Sequence, residues 1–144
     1  MRPGQLIRNS PRRKKRVIER WLVKARNDSV TAQTMLENDL PVTDTVCFHA
    51  QRCAEKKLKA FFTFLDVHVE KTHDLARFLK LCVEHDATWT SLTNAADELN
   101  PYAGEVRYAD DGRDIPVEEA ARAVEMAENI MAFIQSKLGV SAKE

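Results

Sequence analysis

The chain has 144 residues, about one ordinary domain, and its 44% hydrophobic and 31% charged content excludes disordered and collagenous classes. Four Gly and five Pro are too few for a turn-dense β-sandwich or barrel, and no uncharged apolar run approaches the ~18 residues of a membrane helix. The 22 bases and 22 acids cancel, yet residues 1–16 carry seven bases and no acid, which leaves the rest of the chain at −7. A soluble, cytoplasmic protein is therefore expected, with a basic arm over residues 1–17 attached to an acidic body. The run Arg12-Arg13-Lys14-Lys15-Arg16 repels itself and is expected to stay solvated. It can contact a phosphate backbone or a membrane surface, or serve only as a solubilising tail.

A helical pattern follows the arm. Ile18, Trp21, Leu22, Ala25, Ala32, Met35 and Leu36 fall at three- and four-residue steps, which makes one apolar stripe. Asn38, Asp39 and Pro41 end it. Asp44 can cap a second helix that runs to about Leu65, with Val46, Ala50, Cys53, Ala54, Leu58, Phe61, Phe62 and Leu65 as its core face. Thr72 or Asp74 caps a third helix with Leu75, Phe78, Leu79 and Val83. A weaker fourth holds Leu92, Ala95, Ala96 and Leu99 before Pro101 stops it. Residues 101–115, with Pro101, Gly104, Asp110, Asp111 and Gly112, read as a loop. Pro116 opens a last helix whose stripe runs from Val117 to Leu138 and stops at Gly139. The pattern predicts an all-α, five-helix up-and-down antiparallel bundle over residues 18–139, followed by a short tail at 140–144.

Three constellations can carry chemistry. His49, Arg52, Lys56 and Lys59 are spaced i, i+3, i+7 and i+10, so one side of a helix stacks an imidazole with three cations able to hold a phosphate. A ligand site would leave these charges unpaired along a groove. Glu55 stands four residues before Lys59 and three after Arg52, so the same face can instead be salt-bridged. Thr72-His73-Asp74 sits at a helix start, where backbone N–H groups attract anions and an imidazole beside a carboxylate can act as a base; such residues also simply cap helices. Arg107 and Tyr108 lie in the long loop and can clamp a phosphate and stack on a base. The odd set Cys47, Cys53 and Cys82 has no CxxC spacing, and the four His show no paired-ligand spacing. No metal or cofactor is expected.

These segments resemble a known family. Phe48-His49-Ala50-Gln51-Arg52-Cys53-Ala54-Glu55-Lys56 with Leu58-Lys59-Ala60 is similar to the FHAQQAAEK…LKA helix of HEPN-domain proteins (higher eukaryotes and prokaryotes nucleotide-binding). Thr72-His73-Asp74-Leu75 matches their THDL segment, Arg107-Tyr108-Ala109-Asp110 is similar to their RYPD, and Ala25, Asp28, Ala32 and Met35-Leu36 stand in the expected order. The resemblance implies a five-helix homodimer, commonly encoded beside a minimal nucleotidyltransferase in a toxin–antitoxin-like pair. Some relatives bind nucleotides, and others are metal-independent ribonucleases. That ribonuclease branch carries an Arg followed after four to six residues by a His. No Arg precedes His49, His68 or His73 at that spacing, and Arg77 has seven residues between it and His85. Arg52 replaces the family's usual Gln and Ala109 its usual Pro. The expectation is a non-catalytic protein that binds a nucleotide, an RNA or a nucleotidyltransferase partner through His49, Arg52, Lys56, Lys59, His73, Arg107 and Tyr108. An endoribonuclease with an atypical site, or a dimeric adaptor, are the alternatives.

Overall fold

The computed structural model describes residues 10–104 and 114–139, and every described element is helical. Five α-helices follow in order: α1 (Pro11–Leu36), α2 (Thr43–Phe64), α3 (Leu75–His85), α4 (Thr93–Leu99) and α5 (Val117–Leu138). The first helix starts well before Ile18. Ser10 accepts a hydrogen bond from Arg13 N at 3.1 Å and Pro11 takes the first helical position, so a cap and a pre-set φ turn the expected solvated arm into helix as far back as residue 11. Five cations in the first turns oppose the helix dipole. Lys14 offsets part of this by pairing with Asp66 at 3.0 Å.

α2 is the central element, packed along α1 on one side and against α5 on the other. Its N-cap is Val42, without a side-chain cap bond, and Asp44 lies in its first turn. Leu65 closes its other end, where Asp66 adopts φ 60°. Asp66 N bonds Thr63 O at 3.0 Å and Val67 N bonds Phe62 O at 2.9 Å, the paired bonds of a Schellman end. Asp74 caps α3 by accepting from Arg77 N at 3.2 Å. Gly139 ends α5 with φ 63°, a left-handed position that suits glycine.

The fourth helix differs from its expected form. One stretch of 3-10 helix (Ala87–Leu92) precedes α4 and another (Asn100–Ala103) follows it, so the α-helix stops before Pro101 as expected, but the start of the expected loop is wound as a 3-10 turn. Trp89, fully buried in the first of these, packs 4.9 Å from both Phe61 and Phe133. The aromatic side chains of α2 are largely consumed in this way. Phe61 and Phe62 are buried, Phe62 meets Phe78 edge-on at 5.3 Å, and Phe64 stays 40% exposed. Among the described residues no helix is long and apolar enough to cross a membrane.

Candidate functional site: an acid-organised polar seam beside α2

The basic stripe on α2 forms as its spacing demands, but three of its four members are paired with acids. His49 Nδ1 lies 2.7 Å from Asp28 Oδ1, and Lys56 Nζ donates to Asp28 Oδ2 at 2.6 Å. Asp28 comes from α1 and is 7% exposed. Lys59 Nζ lies 2.9 Å from Glu55 Oε2 and 5.3 Å above the Trp21 ring. Glu55 is 1% exposed, which makes it the deepest charge in the molecule among the described residues. It also meets His73 Nδ1 at 3.0 Å through both carboxylate oxygens.

A ligand site with the whole stripe unpaired along a groove is therefore not what forms: of the four, Arg52 alone has no acid partner among the described residues. Two buried acids, one from each helix, take up His49 and Lys56 on one side, and Lys59 and His73 on the other. The physical reason is desolvation: a cation between packed helices needs an acceptor, and a buried carboxylate needs more than one donor. Helical spacing puts Glu55 beside Lys59, the i,i+4 pair read from the sequence, but it does not place Asp28 beside His49 and Lys56, nor His73 beside Glu55. A signal was nevertheless present, since Asp28 interrupts the stripe Ala25–Ala32 and Glu55 the stripe Ala54–Leu58, and a charge on a core face needs a partner.

Arg52 and His73 form the solvent end of this seam. Arg52 Nη1 approaches His73 Nδ1 at 3.0 Å, Arg52 Nη2 reaches Ala103 O at 3.5 Å, and the guanidinium stacks 4.7 Å from the Phe48 ring. One ring nitrogen cannot accept from Arg52 and donate to Glu55 at once. The carboxylate is buried and paired with Lys59, so Nδ1–H donates to Glu55 and Arg52 is a close neighbour. That assignment leaves Nε2 as the free position of a half-exposed ring. Gln51, wholly buried, fixes the backbone beneath it by donating from Nε2 to His73 O at 2.9 Å. Gln51 Oε1 and Arg52 Nε are buried without a hydrogen-bond partner among the described residues.

An open groove of about 420 Å³ lies over this end, lined by Thr72, His73, Asp74, Asp97, Asn100, Pro101, Ala103 and Gly104. Asn100 stitches its rim: Oδ1 accepts from Leu75 N at 2.8 Å and Nδ2 donates to Asp74 Oδ1 at 3.0 Å. The groove lining thus offers the His73 imidazole, with the Arg52 guanidinium beside that ring, and the Asp97 carboxylate for hydroxyl or amino donors. His49, Lys56 and Lys59 lie in the α1–α2 crevice, away from the groove lining. Arg107 and Tyr108 fall outside the described residues; in sequence they follow Gly104 by three and four positions. Burial pushes the Cys53 and Cys82 thiols up to about 12, with Asp28 adding to the rise at Cys53 and Asp86 at Cys82. Both are inert core groups.

An all-α bundle whose second helix is bound to its neighbours through buried acids defines the class. The chain belongs to the HEPN domain family, whose model matches residues 18–137. It is similar in structure to TT1696 from Thermus thermophilus, at 29% identity and a TM-score of 0.71, over 83% of this chain and 97% of that one. ST0689, described as an archaeal HEPN homologue, shares the fold at 19% identity and a TM-score of 0.68, over 84% and 97% of the two chains. No curated protein matches the chain.

Proposed function

We propose that this HEPN chain is a non-catalytic binding protein whose ligand is a nucleotide, held at the Arg52–His73 end of the seam, or a small nucleotidyltransferase that presents one. Its setting is a cytoplasmic toxin–antitoxin-like module, and its working form is a homodimer. The observation that carries this reading is the orientation of His73 by buried Glu55 beside Arg52, under a groove that also holds an exposed carboxylate. A phosphate alone gains nothing from Asp97, whereas a nucleotide can give a hydroxyl or amino donor to it while its phosphate meets the Arg52 guanidinium beside His73. Arg107 and Tyr108 join the proposed site on the strength of their RYPD-like segment. His49, Lys56 and Lys59 support it from the crevice by fixing α2 against α1.

Calorimetric titration with nucleoside mono-, di- and triphosphates tests the reading. Charge-assisted contacts of roughly 1.5–3 kcal/mol imply that Arg52→Gln or His73→Gln weakens binding about ten- to a hundredfold, at ~1.4 kcal/mol per decade. Wild-type affinity in both variants sinks it.

The Glu55–His73 pair favours a second reading, because a carboxylate that orients an imidazole also prepares a general base. RNA cleaved by the wild type in chelator-containing buffer, and spared by His73→Ala, would make the chain a metal-independent ribonuclease with an atypical site. No cleavage is expected, since the family's Arg–His spacing is missing.

A further inference from the structure

We infer that the outward face of α1 is a track for the sugar-phosphate backbone of a nucleic-acid strand. The helix carries eight Lys or Arg against two acids, Glu19 and Asp28, and Asp28 is buried against α2. Arg13, Arg16, Arg20 and Lys24 follow at steps of three, four and four. At 3.6 residues per turn they share an arc of roughly 80° and span about 17 Å of helix. All four side chains are exposed, and none has an acid partner among the described residues. Arg16, Glu19, Arg20, Val23, Lys24 and Asn27 line an open groove of about 490 Å³ along this ridge. Because Ser10 and Pro11 hold the first turns in helix, Arg13 and Arg16 of the basic run are presented in line with Arg20 and Lys24. The family match begins at residue 18, so the leading part of the ridge belongs to this chain and not to the shared domain.

Charge complementarity calls for a polyanion, and the details favour a nucleic-acid strand. The cations recur about once per helical turn, roughly 5.4 Å, a repeat comparable to the spacing of successive phosphates along a strand. Three of the four are Arg, which grips phosphate through paired N–H donors. A helix lying on a membrane needs an apolar half to insert. Here Trp21, Leu22, Ala25 and Ala32 turn that half inward, and the large apolar side chains exposed on α1 are only Val23 and Val30. An aromatic platform for stacked bases is also missing from the residues lining this groove, so contact is with the backbone, independent of base sequence and steeply salt-dependent.

Fluorescence anisotropy with a labelled single-stranded oligouridylate, across a salt series, tests the track. Four phosphate contacts on a single strand give a slope of log affinity against log salt of about −3. The variant R13Q/R16Q/R20Q/K24Q is expected to lose that slope and to bind at least tenfold more weakly at low salt. The two half-variants, R13Q/R16Q and R20Q/K24Q, should each lose about half the slope. Circular dichroism and the melting midpoint should match the wild type, because exposed charges of this kind contribute little to stability. Lys71→Gln with Lys80→Gln, which removes exposed charge elsewhere, should leave both affinity and slope in place. Wild-type binding by the quadruple variant, or an equal loss in the Lys71/Lys80 control, overturns the track. So does failure of the wild type to bind the oligonucleotide, whether or not it binds phosphatidylserine vesicles.

Discussion

Glu55 shows how one residue can organise a site that its neighbours advertise. The carboxylate is 1% exposed and serves Lys59 at 2.9 Å and His73 at 3.0 Å. A buried acid with two donors is held in place more than it stabilises, since desolvation offsets much of the attraction. Removing it alone leaves Lys59 buried without its counter-charge. Glu55→Ala is therefore expected to lower stability by about 3–5 kcal/mol, read as a shift of the urea midpoint at constant slope. Glu98 provides the contrast. It takes two bonds from Arg122 at 3.0 Å, but on the surface, so Glu98→Ala should leave the midpoint almost unmoved. Equal losses in the two variants would mean that the seam is no more than a surface ion pair.

At the scale of elements, the helix ends decide where the chain turns. Asp86 joins α3 to the first 3-10 stretch by accepting from Thr88 N at 3.0 Å, while its other oxygen takes Lys137 of α5 at 2.8 Å. Lys137 and the two Thr88 bonds hold its carboxyl down at about 2, against an ordinary 3.8. The charged form is thus favoured in the folded state. Its contribution is complete above the ordinary value and is lost as pH falls through about 2. Asp86→Asn should lower the melting midpoint at neutral pH, and the gap between variant and wild type should close below about pH 2. A gap that stays constant through that range would assign the loss to the cap geometry and not to the charge. The same logic of ends explains α1. Ser10 and Pro11 are legible in the sequence as a cap and first helical position, but a run of five cations argues for solvation, and the local cap wins.

For the molecule as a whole, charge and apolar surface are unevenly distributed. A cationic first helix is set against an acidic remainder, and exposed apolar side chains persist at Phe64, Val67 and Leu40 after the aromatic cluster is filled. Lys14 lies 5.7 Å over the Phe64 ring and shields part of it. A two-fold homodimer is expected, and sedimentation equilibrium at tens of micromolar, roughly the range in which a working dimer should persist, should give twice the chain mass. A species of only 16.4 kDa counts against the dimer and leaves the nucleotide reading to stand on the groove alone.

The all-α class, the order of the five helices, the core faces of α2 and α3 and most of that of α5, whose expected first member Val117 is exposed, were determined by the sequence itself. Apolar residues at three- and four-residue steps can bury one stripe only by packing helix on helix. The ends at Asp74 and Gly139 were equally legible, because caps act within a few residues of chain. Apart from the local Glu55–Lys59 pair, tertiary structure decided what the polar residues of the seam do. Asp28 and His49 are 21 positions apart, and Glu55 and His73 are 18 apart, so no local spacing couples them. Trp89 likewise gains its role only when α2 and α5 bring Phe61 and Phe133 to its two sides. Periodicity records which face is buried. Which buried charge finds which partner is settled by desolvation, once the helices have met.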